Sequence, residues 1–367
     1  MIAFIKKNAL YIYLLLFMFI SHISIYKASI YISPALGKLY IKQLLWYLIG
    51  FICIFFIKKT NIKKIYNLSI VIYVVNILLL IGLFFFGKEV NNAKAWYKIL
   101  GVNIQPSELM KISLILINSY VIYRFYKNRA KINSKKEFTL ILSLIIVLLI
   151  PSILTFLEPD TGAVICYIVI TFSMLYISGI DKKWFYYISL TIISLIIIFT
   201  LLYFFKSDIL GNSLFYRIQR LIDWKNKNGM QLNNSLIAIG SSGITGHSYV
   251  PIYYPEAGTD FIFTTFTSSF GLIAAISLIT IILLFDLYII NDLKKIHNLQ
   301  NKYTLFGILA LFFYQQIESI SMALGILPIT GITLPFISYG GSSILSSLIL
   351  VGIIKSIENY NKKAYYK

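Results

Sequence analysis

Long apolar runs, broken at short intervals by clusters of Lys, Asn, Gly and Pro, make up most of the chain. A helix that crosses the hydrocarbon core of a bilayer needs about 20 mostly apolar residues. Runs of this kind lie near 8–26, 42–57, 65–86, 107–125, 138–156, 161–179, 184–205, 260–290, 303–325 and 333–355. The pattern predicts an all-α integral membrane protein with about ten transmembrane helices. The eighth run is long enough to contain a break. Nothing marks a second domain, a heptad or an internal repeat, so residues 1–367 read as a single polytopic domain. Residues 206–259, with Gly, Asn, Ser and Pro and few long apolar runs, read as a large outer loop between helices seven and eight. A Gly-rich loop of that length at a membrane surface favours a functional role.

Composition sharpens this picture. Apolar residues make up 58% of the chain and charged residues 13%, and the mean hydropathy is +0.80, far from the usage of soluble domains. The net charge of +19 reads as cytoplasmic loops facing an anionic leaflet. No basic stripe with interleaved aromatics stands on a soluble domain, so nucleic-acid binding is not expected. With the N-terminus placed in the cytoplasm, 21 of the 33 Lys and Arg fall in inside segments. That bias predicts both termini inside and the long loop outside. The first apolar run has no small-residue cleavage site and exceeds a signal-peptide core, so it reads as a retained helix. Cys53 and Cys166 lie within apolar runs and read as small core residues. His22, His247 and His297 are scattered without zinc spacing, and no metal ligands are assigned.

The fourteen carboxylates are the informative polar groups, because an ionised side chain near the bilayer centre costs about 2.5–3.5 kcal/mol. Glu158 and Asp160 flank a short turn between helices five and six, Glu256 and Asp260 close the long loop, and Glu108 begins helix four. Asp286 lies within an apolar run, near the inner end of the eighth span. Thr259 and Asp260 stand where a polar loop enters a span, as a helix cap or as catalytic groups. In Gln105-Pro106-Ser107-Glu108 with Lys111, an acid and a base lie three residues apart on one helical face. They form a structural ion pair, or Lys111 holds an anionic head group such as a pyrophosphate. Trp96 is an aromatic-belt residue or a stacking face for a sugar. The stretches 240–246 and Tyr339-Gly340-Gly341-Ser342-Ser343 either expose backbone N–H groups to phosphate or let helices approach closely, close packing being favoured for the second. Neither ends like a P-loop, so ATP use is unsupported.

Taken together, these motifs resemble the SEDS family (shape, elongation, division and sporulation), of the RodA and FtsW type. The resemblance runs through nearly the whole chain. It is carried by Ala95-Trp96-Tyr97-Lys98, by Gln105-Pro106-Ser107-Glu108 with Lys111, by Pro159-Asp160-Thr161-Gly162 and by Ala238-Ile239-Gly240-Ser241. It continues in Pro255-Glu256 with Thr259-Asp260-Phe261-Ile262-Phe263, in Leu327-Pro328-Ile329-Thr330-Gly331, and in Leu334-Pro335-Phe336-Ile337-Ser338-Tyr339-Gly340-Gly341-Ser342-Ser343.

The resemblance implies a peptidoglycan glycosyltransferase of the bacterial inner membrane. Such an enzyme polymerises lipid II into β-1,4 glycan at the outer face, in cell elongation or division, beside a class B penicillin-binding transpeptidase. It implies Asp260 as the essential acid. It also implies a substrate-binding set of Trp96, Glu108, Lys111, Asp160, Arg217, Arg220, Gln231, Ser235, Glu256, Thr259 and Ser342. Basic groups among these, or a divalent cation such as Mg or Mn, would stabilise the leaving pyrophosphate. The chain departs from the family pattern at Gly258, commonly His, at Ser268 and Ser269, commonly an acidic pair, at Ser319-Ile320-Ser321-Met322 and at Asn234. A lipid II flippase and a non-catalytic scaffold for the transpeptidase are the competing expectations. The acids gather at the outer edge and no inverted repeat is visible, which favours surface chemistry over transport.

Overall fold

A computed structural model of the chain describes residues 2–32, 37–90, 93–99, 102–127, 134–190, 224–225, 229–247 and 252–365. Among these, eleven α-helices and one small sheet are assigned as follows. Helices α1 (Ile2–Lys27), α2 (Leu39–Ile57), α3 (Ile62–Asn67) and α4 (Ser69–Phe86) lead into strands β1 (Lys88–Val90), β2 (Ala93–Ile99) and β3 (Val102–Ile104). Then come α5 (Pro106–Lys127), α6 (Ser134–Leu157), α7 (Thr161–Ile177), α8 (Met230–Ser241), α9 (Ile262–Lys294), α10 (Leu299–Ala323) and α11 (Gly341–Tyr365). Further helical backbone runs over 183–190. Among the described residues, seven helices are long and apolar enough to cross a membrane, and the chain is a multi-pass membrane protein. Residues 191–205 of the seventh expected span and much of the long loop lie outside the described residues.

The elements follow from their sequences. Pro106 opens α5, where its missing N–H would be unpaired anyway. Asp160 caps α7 by accepting from the Ala163 N–H at 3.0 Å. Helix α5 is buried along most of its length, whereas α2, α4 and α6 carry exposed apolar side chains such as Leu45, Phe85 and Ile153, as lipid-facing helices do. Helices α2 and α11 approach closely: a Cβ on Gly341 would collide with Trp46, and one on Gly50 with Leu348. This is the small-residue packing typical of membrane helices.

Two features refine the sequence reading. The segment between α4 and α5 is an antiparallel sheet ordered β1-β2-β3, pairing Lys88 with Trp96 and Lys98 with Asn103. The Tyr97 hydroxyl donates to the Leu79 carbonyl at 2.7 Å and ties the sheet to α4. The expected break in the eighth span is at Gly271 (φ 81, ψ −176). There the helix gives up its own pairing and bonds to the first glycine-rich stretch. Leu272 N–H donates to Gly243 O at 3.1 Å, and His247 N–H to Ser268 O at 3.0 Å. A Cβ at Gly271 would run into the Ile244 backbone. Residues 240–246 therefore join two backbones closely.

Candidate active site

Helices α5, α7, α9 and α11 all begin at one end of the bundle, and a cavity of about 1230 Å³ lies among their first turns. The positive ends of helix dipoles at such a site favour an anionic ligand. The loop carrying Asp260 is positioned from two sides. From α9, Thr265 Oγ1 donates to Ala257 O at 2.7 Å. From the loop before α11, Tyr339 N–H donates to Gly258 O at 2.8 Å and Ser338 Oγ to Thr259 O at 2.6 Å. That second loop is itself held by polar groups of membrane helices. Ser21 Oγ donates to Ile337 O at 2.7 Å, Gln43 Nε2 to Ser338 O at 3.0 Å, and the Tyr47 hydroxyl to Phe336 O. Buried carbonyls of an irregular segment need such donors where water is absent.

Asp260 is half-buried and lines the cavity. The N-cap position of α9 is Phe261, one residue after Asp260. Thr259 Oγ1 donates to Glu256 Oε2 at 2.5 Å, and both residues line the cavity. Asp160 is clamped as well as capping: Gln105 Nε2 and Ser107 Oγ each donate to its Oδ2 at 2.8 Å. Burial pushes its carboxyl above the ordinary range, against the opposing pull of the Ala163 N–H, the Ser107 hydroxyl and Lys111. Glu108 and Lys111 form a buried ion pair at 2.7 Å, with Ser346 Oγ donating to the second Glu108 oxygen at 3.2 Å. The pair is structural and also borders the cavity. Ser342 Oγ accepts the Gln105 N–H at 2.8 Å, joining the start of α11 to that of α5.

Trp96, half-buried on β2, and Gln231, on α8, complete the part of the expected set that borders this cavity. Ser235 does not: it is buried, hydrogen-bonded to Thr264 Oγ1 at 2.6 Å and donating to Ala323 O at 2.9 Å, so it joins α8 to α9 and α10. Arg217 and Arg220 lie outside the described residues. Of the departures, Ser268 donates to Thr265 O at 3.2 Å and Ser269 is buried.

Lys42, Gln315 and Glu158 are among the cavity residues that the sequence does not single out as site candidates. Lys42 and Gln315 line the cavity from α2 and α10. Glu158 is 2% exposed, both its carboxylate oxygens lack a hydrogen-bond partner, and burial, helped by Asp160, pushes its carboxyl up to about 8. The signal for Glu158 was present, an acid immediately after an apolar run. Among the described residues, no group of three His, Cys, Asp or Glu side chains is arranged to hold a metal ion.

The family model for cell cycle proteins of the FtsW, RodA and SpoVE type matches residues 7–363. The chain is 30% identical over 300 residues to a probable peptidoglycan glycosyltransferase FtsW of Thiomicrospira cyclica, covering 78% of this chain and 73% of the relative. It is 32% identical over 306 residues to the one from Buchnera aphidicola subsp. Schizaphis graminum, covering 79% and 82%. Among solved structures, a chain of a peptidoglycan synthase complex that coordinates polymerization and crosslinking superposes with a TM-score of 0.77 at 21% identity, over 96% of this chain and 97% of that one. The rod shape determining protein RodA of Thermus thermophilus superposes with a TM-score of 0.68 at 20% identity, over 96% of each.

Proposed function

The chain belongs to the FtsW, RodA and SpoVE family of cell cycle proteins, and from that premise we propose that it is a peptidoglycan glycosyltransferase that polymerises lipid II. The observation that carries this reading is convergence. Trp96, Glu108, Lys111, Asp160, Gln231, Glu256, Thr259, Asp260 and Ser342, drawn from separate segments, border one cavity where several helices begin.

In this reading Asp260 accepts the proton of a sugar hydroxyl as that oxygen attacks the anomeric carbon of the second substrate. General-base help of this kind contributes about 10² to 10⁴ in rate. The α-linked donor becomes a β-1,4 product by one displacement, and undecaprenyl pyrophosphate leaves without a covalent enzyme intermediate. Lys111, Arg217, Arg220 and the helix N-termini would favour the leaving pyrophosphate. A divalent cation would be the alternative means of neutralising the charge that develops on the leaving group. The partner is a class B penicillin-binding transpeptidase. The location is the bacterial inner membrane, with both termini in the cytoplasm and the cavity facing out. The synthase complex among the similar folds supports the partner, and the Lys and Arg bias supports the orientation.

The test is glycan-chain formation from labelled lipid II by the purified chain, with and without the transpeptidase. Polymer from the wild type and none from folded Asp260→Ala or Asp260→Asn supports the reading. Wild type that makes no polymer with its partner, yet moves lipid II across vesicles, replaces it with transport.

A further inference from the structure

We propose that Glu318 is a positioning residue for Asp260 that acts through the loop following α10; this rests on the glycosyltransferase reading above. Glu318 lies five residues before the end of α10 and is 1% exposed. The Thr330 hydroxyl donates to its Oε1, and its Oε2 has no hydrogen-bond partner.

The loop following α10 is thinly held. No backbone–backbone hydrogen bond ties residues 328–333 to another described residue. Its side-chain tethers are Thr330 to Glu318 and Thr333 Oγ1 to Ser343 Oγ, the latter at 2.8 Å. Yet the loop forms the cavity wall against the reacting group. Gly331 has φ 77, and a Cβ there would stand 3.5 Å from Asp260 Oδ2, while Thr330 O would stand 3.0 Å from a Cβ on Gly162. The loop is thus wedged between the first turn of α7 and Asp260. A carboxylate buried in a membrane helix is costly, and this one fixes the loop residue next to the glycine that faces Asp260. Its role is to keep the Asp260 carboxylate confined and aimed, without touching substrate.

The test measures kcat and KM for labelled lipid II with the full chain and its transpeptidase, alongside thermal unfolding in detergent. Glu318→Ala and Thr330→Val remove the tether, while Glu318→Gln keeps an acceptor and Thr330→Ser keeps the donor. Loss of the tether is expected to lower kcat by up to about 10²-fold, the size of effect a misplacement of about 1 Å produces. KM should change little, and the Gln and Ser variants should stay close to wild type. The inference is overturned by wild-type kcat in folded Glu318→Ala or Thr330→Val, by equal loss in Glu318→Gln, or by KM rising in step. If Glu318→Ala does not fold, the Thr330 pair decides alone. Wild type that makes no polymer overturns the glycosyltransferase reading itself, whereas polymer from wild type and tether variants alike overturns this inference only.

Discussion

Two buried ion pairs of identical spacing stand at opposite ends of the bundle. Glu108 and Lys111 lie in the first turns of α5 with side chains 12% and 4% exposed, and Lys355 and Glu358 lie near the end of α11 at 9% and 12%. Each is three residues apart on a helix, and each is tight, at 2.7 and 2.8 Å. They differ in what surrounds them. Lys355 is closed in: its ammonium reaches both Glu358 oxygens and the Tyr288 hydroxyl, and lies 5.6 Å from the Tyr11 ring centre. Glu108 and Lys111 border a cavity that also receives Glu158, Asp160, Glu256 and Asp260. Spacing alone makes a pair; openness to a cavity makes it available to a substrate.

Single truncations should separate the two ends most strongly. Lys111→Ala and Lys355→Ala each leave a buried carboxylate uncompensated, and each should destabilise the protein by about 3–5 kcal/mol. Only Lys111→Ala should also lower kcat per folded molecule, as measured by lipid II polymerisation normalised to the folded fraction. Equal kcat in both folded variants would remove the distinction. A smaller effect is expected when both partners go. Lys355→Met with Glu358→Leu should be neutral or stabilising by about 1–4 kcal/mol, as replacements of buried pairs by apolar groups often are, with polymerisation retained. Glu108→Leu with Lys111→Met should behave likewise in thermal unfolding and still lose polymer. A double variant at α11 that loses polymer while folding normally would show that the far end also serves the reaction.

Much of the fold was readable because apolar length is a strong signal. The expected span 138–156 is α6 (Ser134–Leu157), and 161–179 is α7 (Thr161–Ile177). The last span begins eight residues later than the pattern predicts. Residues 333–340 are apolar enough to read as helix, but the segment around Pro335 and Phe336 (φ 66) is a loop whose carbonyls are satisfied by Ser21, Gln43 and Tyr47. Those donors lie about 290 to 316 positions away, beyond any local pattern. The β1-β2-β3 sheet is not legible because β1 and β3 have only three residues each, and because Ala95-Trp96-Tyr97 breaks the period-two alternation in β2. At the site, motif resemblance singled out residues that meet in the cavity, yet Ser235 faces a helix contact and Glu318 went unnoticed. Direction within a helix turn, which decides both, is not encoded by residue type.

The smallest effect sharpens the comparison at a single carboxyl. Glu358 is matched by Lys355 and Tyr288, whereas Glu158 is buried with neither oxygen partnered and its pKa is raised to about 8 by burial and then by Asp160. In the unfolded chain a glutamate releases its proton near pH 4.3. Between that value and about 8, the folded protein keeps a proton that the unfolded chain has lost, so the native state binds more protons. The stability contributed by this group is therefore fully present below the ordinary glutamate pKa, and it declines as pH rises through the window. Glu158→Gln removes the titration but keeps the shape. The melting temperature of the wild type, measured from pH 5 to pH 9, should fall relative to that of Glu158→Gln as pH rises. Parallel curves would mean that Glu158 has a charge partner in solution, and the cavity end would then be as closed as the Lys355 end.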